Sequence, residues 1–189
     1  MKINCNEFWK LLEPIHPQTE SFCRKLAGNR EDGDDLYQEV LLLALNKFNS
    51  LRERDSFRPW LYRIIVNTYK NRYRQPWWRR RVVLGPEILD SKRIYNPTEI
   101  YTLRRFLYKA LAVLSSEARG MILLSDMEGW TIADLAQIYN KPEGTIKARL
   151  SRARRKMRRA IAKNMPEPKI IKMLGEGNYG LPKGKTAIE

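Results

Sequence analysis

Residues 131–159 read TIADLAQIYNKPEGTIKARLSRARRKMRR. Two helices meet at a tight corner in this stretch. Thr131 suits an N-cap, and Asp134 puts a carboxylate where the free backbone N–H groups of a first turn can meet it. Apolar Ile132, Leu135, Ala136, Ile138 and Tyr139 follow. Asn140 tolerates a left-handed backbone and can end the helix. Pro142 suits the first turn of the next helix, where its missing N–H has no helical partner to lose. The pattern predicts a helix-turn-helix.

In the second helix, Ile146, Leu150, Ala153 and Met157 recur at helical spacing and form one apolar stripe. The opposite side carries Gly144, Thr145, Ala148, Ser151, Arg152 and Arg155. Lys147, Arg149, Arg154 and Lys156 flank the stripe. Small outward residues let a helix approach base edges, Arg152 could reach guanine, and the flanking cations suit phosphates. A charge run alone is usually a solvated face. Joined to the corner and the small outward residues, it points to duplex DNA.

The bulk numbers agree. The chain has 189 residues, with 36 Lys and Arg against 21 Asp and Glu, a net charge of +15. That favours a polyanionic partner without saying which. No apolar run is long enough to span a membrane, and no signal peptide is visible, so membrane insertion is not expected. Two cysteines, Cys5 and Cys23, lack metal-ligand spacing and fit a reduced, cytoplasmic setting, one as a surface thiol and one in the core. No cofactor is expected.

The expected fold class is all-α: two small helical domains joined by a flexible linker, the second containing the helix-turn-helix. Residues 1–75 form the first domain. Residues 76–97 hold prolines and no sustained period, and read as the linker. Residues 98–164 form the second domain. Residues 165–189, rich in Pro and Gly, read as a poorly ordered tail. Before the corner, Ile100, Leu103, Leu107, Ala110, Leu111 and Leu114 make one stripe. Ser115 or Ser116 then caps a helix carrying Met121, Ile122 and Leu124, which stops near Gly129.

The first domain has two informative helices. In DDLYQEVLLLALNKF, Asp34 or Asp35 sits near the N-terminus, and Leu36, Val40, Leu43 and Ala44 face one way. Asp35, Gln38, Glu39, Leu42 and Asn46 lie largely on another side. An acidic surface on a strongly basic chain suits protein docking better than nucleic acid; plain solvation is the alternative. In SFRPWLYRIIVNTYKNRYR, Trp60, Leu61, Ile64, Ile65 and Thr68 face inward, while Arg63, Asn67, Lys70 and Arg74 face outward. Tyr62, Tyr69 and Tyr73 interleave with the outward row. Cations for phosphates and rings for unstacked bases suit single-stranded nucleic acid; the alternative is that the tyrosines pack on neighbouring helices.

The stretches at 32–48, 57–74 and 114–158, in that order and with a linker between them, resemble a bacterial sigma factor. The match is to the small extracytoplasmic-function (ECF) group, which keeps regions two and four. The resemblance covers about Gln18 to Ala162 and rests on D-L-x-Q-E, W-L-x-x-I-x-x-N and P-x-G-T-I-K-x-R-L-x-R-A-R runs. It implies a non-enzymatic initiation factor whose partners are core RNA polymerase and promoter DNA, and it admits an anti-sigma factor. Asp35, Gln38, Glu39, Leu42 and Asn46 match the helix that docks on the polymerase clamp. Ser50 to Ser56, with Arg52, Arg54 and Asp55, matches the loop that pockets an extruded minus-ten base. Arg63, Asn67, Lys70 and Arg74 match the helix that tracks the non-template strand. Thr145, Lys147, Ala148, Arg149, Ser151, Arg152 and Arg155 match the reader of minus-thirty-five duplex DNA. That second domain is also expected to contact the polymerase flap.

The chain departs from the pattern in three places. The loop SLRERDS is strongly charged and names no preferred base. Trp77 and Trp78 followed by Arg79, Arg80 and Arg81 make an aromatic, basic start to the linker, fit for template strand or nascent RNA, or for extending the preceding helix. The tail after Met165 has no counterpart in a minimal member. Two other classes compete. A dimeric helix-turn-helix regulator leaves the acidic helix and the aromatic helix unused. A nucleic-acid enzyme finds no support in a lone His16, which reads as a loop residue, or in any P-loop or nucleophile motif.

Overall fold

The computed structural model describes residues 5–75 and 106–164. The linker at 76–97 with its Trp-Arg strip, Ile100, Leu103 and the tail from residue 165 lie outside the described residues. The described residues are helical and contain no strand, and the structure is all-α as expected.

Helix α1 (Cys5–Leu12) leads through a 3₁₀ turn (Glu13–Ile15) into α2 (His16–Ala27). His16 therefore starts a helix rather than sitting in a loop, and its ring meets Tyr37 edge-on at 5.3 Å. Gly28 ends α2 with φ 89°, a left-handed turn that costs glycine nothing, and its N–H donates to the Arg24 carbonyl at 2.9 Å. Helix α3 (Arg30–Lys47) begins a turn earlier than expected. Asn29 caps it, its side-chain oxygen accepting the Asp32 N–H at 2.8 Å, which leaves Asp34 and Asp35 a turn inside the helix. Gly33 allows α3 to lie close on α2: a Cβ there would stand 2.9 Å from the Arg24 backbone nitrogen. Arg24 bridges the pair through Asp34 at 2.5 Å and is steadied on its own helix by Glu20 at 2.8 Å. Two 3₁₀ turns (Phe48–Ser50 and Arg54–Ser56) then lead into α4 (Phe57–Arg74). Phe22, Leu26, Leu36, Val40, Ala44, Leu61 and Ile65 form the core between these helices. Cys5 is exposed and Cys23 buried, and burial pushes the Cys23 thiol far above its ordinary pKa, leaving it inert.

The second half begins with α5 (106–112) and α6 (Ser116–Ile122). Ser115 is the cap, accepting the Ala118 N–H at 3.3 Å. A π turn over Leu123–Met127 carries the chain to Gly129, at φ 71°. Thr131 and Asp134 make a full capping box at the start of α7 (Ile132–Tyr139), and Asn140 leaves it left-handed at φ 49°. The Pro142 carbonyl accepts the N–H groups of Thr145 and Ile146 as α8 (Glu143–Asn164) begins. Ile146, Leu150 and Ala153 are buried, as their stripe predicts.

The two halves pack on each other. Helix α4 packs on α6 and α7, and the buried side chains of both halves run into one cluster. Trp130 lies against Tyr62 at 4.6 Å, with the Arg58 guanidinium 4.4 Å over its ring. Lys25 pairs with Glu128 at 2.7 Å. Arg119, only 1% exposed, donates to the Tyr69 hydroxyl at 2.8 Å and the Leu111 carbonyl at 3.3 Å, and sits 5.4 Å from the centre of the Tyr73 ring.

Candidate polymerase-docking and nucleic-acid surfaces

Helix α3 turns Leu36, Tyr37, Val40 and Ala44 into the core, so its opposite side faces out. Asp35, Gln38, Leu42 and Asn46 are exposed along one face, and Leu42 stands 65% exposed among the polar groups. Glu39 differs. It is half-buried and accepts from Arg72 Nε at 2.5 Å, while Arg72 Nη2 donates to the Asp35 carbonyl at 3.2 Å. Glu39 therefore fastens α3 to α4 as well as adding charge to the face.

The loop between α3 and α4 places Arg52, Glu53 and Asp55 in solvent and buries Leu51. Arg54, expected beside them, is folded back. Its Nε and Nη2 meet the two Glu7 carboxylate oxygens at 2.5 and 3.1 Å, and its Nη1 donates to the Leu51 carbonyl at 2.8 Å. Its guanidinium carbon lies 4.4 Å over the Phe48 ring.

On α4, Arg63, Asn67, Lys70 and Arg74 are exposed and recur at spacings of four, three and four, one row on a helix. The tyrosines do not join that row as the sequence suggested. Tyr62 and Tyr69 are buried against the second half, and Tyr73 is half-buried. Burial pushes the Tyr69 hydroxyl up to about 12, so it stays neutral and accepts from Arg119. Arg63 Nη2 donates to the Gln137 carbonyl of α7 at 2.5 Å, and Asn67 and Lys70 line a cavity of about 80 Å³ shared with Ser116, Tyr139 and Lys141. One edge of the cationic row thus rests on the second half.

Helix α8 presents Gly144, Ala148, Ser151, Arg152 and Arg155 to solvent, with Thr145 half-buried. Arg152 lies back along the helix, its Nε 3.3 Å from the Ala148 carbonyl. Arg149 is half-buried and held by Glu117 at 2.6 Å. Arg154 forks onto Asp126 at 2.6 and 3.3 Å, and that carboxylate holds its guanidinium above the usual pKa. Lys147 makes a loose pair with Glu143 at 3.8 Å. Arg149 and Arg154 thus brace the helix, whereas Arg152, Arg155 and Lys147 are exposed. Sequence reasoning had no role for Arg119, Trp130 or Glu7, because their partners lie tens of residues away.

Residues 11–79 match the family described as Sigma-70 region 2, and residues 99–157 match Sigma-70, region 4. The ECF RNA polymerase sigma factor SigM of Mycobacterium tuberculosis strain H37Rv is 30% identical over 154 residues, covering 82% of this chain and 76% of that protein. EcfG of Rhodopseudomonas palustris strain TIE-1, another ECF RNA polymerase sigma factor, is 32% identical over 143 residues, 75% of this chain and 77% of its own length. The sigma factor RpoE of Bartonella quintana, solved in complex with the anti-sigma factor NepR, superposes with a TM-score of 0.61 at 27% identity, covering 85% of this chain and 99% of that one. With both regions matched in order on an all-helical fold, the chain belongs to the ECF group of RNA polymerase sigma factors and serves promoter-specific transcription initiation.

Proposed function

We propose that this sigma factor divides initiation among three surfaces. The α3 face docks core RNA polymerase, with Leu42 as apolar anchor and Asp35, Gln38, Glu39 and Asn46 around it. Helix α8 enters the major groove of the minus-thirty-five element, where Arg152 reads a base and Lys147 and Arg155 take phosphates. The loop from Ser50 to Ser56 receives an extruded minus-ten base, and the row Arg63, Asn67, Lys70 and Arg74 tracks the strand that leaves the duplex. The chain makes and breaks no bond; it supplies positions, and it works in the cytoplasm where polymerase and promoter meet. An anti-sigma factor, which the Bartonella relative binds, is the partner proposed for restraint.

One observation carries this reading. A chain of net charge +15 keeps an acidic face with a 65% exposed leucine on one helix and a continuous cationic row on the next. A plain DNA-binding regulator needs only the second kind of surface. Strand opening requires that the displaced strand be held, since it otherwise reanneals. A base stacked on an aromatic ring gains about 1–3 kcal/mol, against about 1.4 kcal/mol for an average step of the DNA stack. The arrangement narrows which rings can serve: Tyr73 is half-buried, whereas Tyr62 and Tyr69 are covered by the second half.

The test is the double variant Arg63→Ala with Lys70→Ala. Core affinity and minus-thirty-five recognition should stay near the parent values. Permanganate reactivity of unpaired thymines on a duplex promoter should fall sharply, and transcription should recover on a template already mismatched at the minus-ten element. Parental melting by the double variant would place strand capture elsewhere.

A further inference from the structure

The N-terminal helix grips the loop between α3 and α4 at three points. Phe8 of α1 is buried, and its ring meets Phe48 at 5.3 Å and Phe57 at 5.6 Å, both edge-on. Those two residues bracket the loop. Between them, Glu7 takes Arg54 by both carboxylate oxygens, and Arg54 in turn holds the Leu51 carbonyl and covers the Phe48 ring. A planar guanidinium bound along one edge, bonded at another and stacked on a face has little freedom left. Arg54 thereby ties down the extended stretch that starts at Leu51, and Arg52, Glu53 and Asp55 are the charged loop side chains that reach solvent. The Glu7–Arg54 pair is part-exposed on both sides, so its effect on overall stability is small. Its effect on loop shape is not, because it fixes the middle of a segment whose ends are already fixed.

We infer that α1 is part of the minus-ten reader: Glu7 is a positioning residue that acts through Arg54 to set the shape of the 50–56 loop, and the base is read by Arg52, Glu53 and Asp55 rather than by Arg54. This rests on the proposal that the loop receives an extruded base. A base pocket discriminates only if its walls are held before the base arrives.

The experiment uses holoenzyme assembled from the full chain and core polymerase. Transcription is measured on promoters carrying each of the four bases at every minus-ten position, for Glu7→Gln, Arg54→Gln, the two combined, and Asp55→Ala with Arg52→Ala and Glu53→Ala as the loop arm. Core affinity, minus-thirty-five preference and thermal unfolding are followed alongside. The loop arm should alter the preference at one position. Glu7→Gln and Arg54→Gln should each flatten discrimination at that same position by about fivefold or more, and the combined variant should do no more than either alone, as coupled residues do. Core affinity and minus-thirty-five preference should not move. A Glu7→Gln profile identical to the parent, with Arg54→Gln altered, would make Arg54 a direct reader and overturn the inference. Additive effects would overturn it too. An unaltered profile in the loop arm would instead show that the loop is not the reader, and both proposals would fall together.

Discussion

Replacing Leu42 by alanine isolates the apolar part of the α3 face. Burying a leucine side chain fully is worth about 1.5–3 kcal/mol. Leu42 is 65% exposed in the free chain, so docking has about two-thirds of that still to gain, roughly 1–2 kcal/mol. Alanine forfeits most of it, which predicts core affinity about 5- to 30-fold weaker. The fold should not notice, because the side chain is outside the core and alanine is at least as good a helix former; unfolding should stay within about 0.5 kcal/mol of the parent. Asp35→Lys makes the complementary electrostatic variant. Glu39 is left intact, since changing it would also free Arg72 and confuse docking with packing. Both variants compete against labelled parent chain for core polymerase at two ionic strengths. The Leu42→Ala deficit should be the same at both, whereas the Asp35→Lys deficit should shrink at high salt as the exposed charge is screened. Leu42→Ala binding within about twofold of the parent would refute the argument that burial of this side chain drives docking.

On α8, Arg152→Ala should relax preference at one minus-thirty-five position, a loss of roughly 1–3 kcal/mol of discrimination, while Lys147→Ala should weaken all sequences alike and lower the salt slope by about one. Identical sequence profiles for the two in a binding-site selection would show the outward face to be misassigned. The Lys25–Glu128 bridge joins the two halves at 2.7 Å with both side chains largely shielded. Glu128→Gln should favour their separation and raise the affinity of the free chain for a single-stranded oligonucleotide by about tenfold. Exposed Glu31→Gln serves as the charge-matched control, and a rise no greater than the control's would mean that closure does not restrict strand binding.

The helix-turn-helix was legible because its grammar is local. Thr131, Asp134 and Asn140 act within one turn of themselves, and a stripe such as Ile146, Leu150 and Ala153 needs only a period. The α3 face was legible for the same reason, although its start was missed. Two adjacent aspartates looked like a helix N-terminus, and Asn29, bonded twice to Asp32, did the capping. The tyrosines of α4 show where a period stops being informative. A helix buried on two sides by a neighbour in sequence and by a domain more than forty residues away reads as one apolar face and one aromatic-cationic face. Sequence likewise gives the charge of Arg54, Arg149 and Arg154 but not their acidic partners at Glu7, Glu117 and Asp126. Those pairs decide which cations are already engaged within the protein. The π turn at Leu123–Met127 had no signal, since an extra residue at the end of a helical pattern leaves the pattern looking helical.

The contact between the halves sorts the surfaces by when they can act. The α3 face stands clear of it, so the docking proposed for that face asks nothing of the second half. Tyr62 and Tyr69 lie inside it, and Arg63 is bonded across its edge. On the proposed assignment, a closed chain recruits polymerase while two tyrosines of its strand-binding helix are still covered. A basic, tyrosine-rich helix left bare would bind any loose single strand in a cell crowded with RNA. On the proposed assignment, the covering of those two rings keeps part of the helix's affinity for nucleic acid in reserve until polymerase and promoter compete for the two halves.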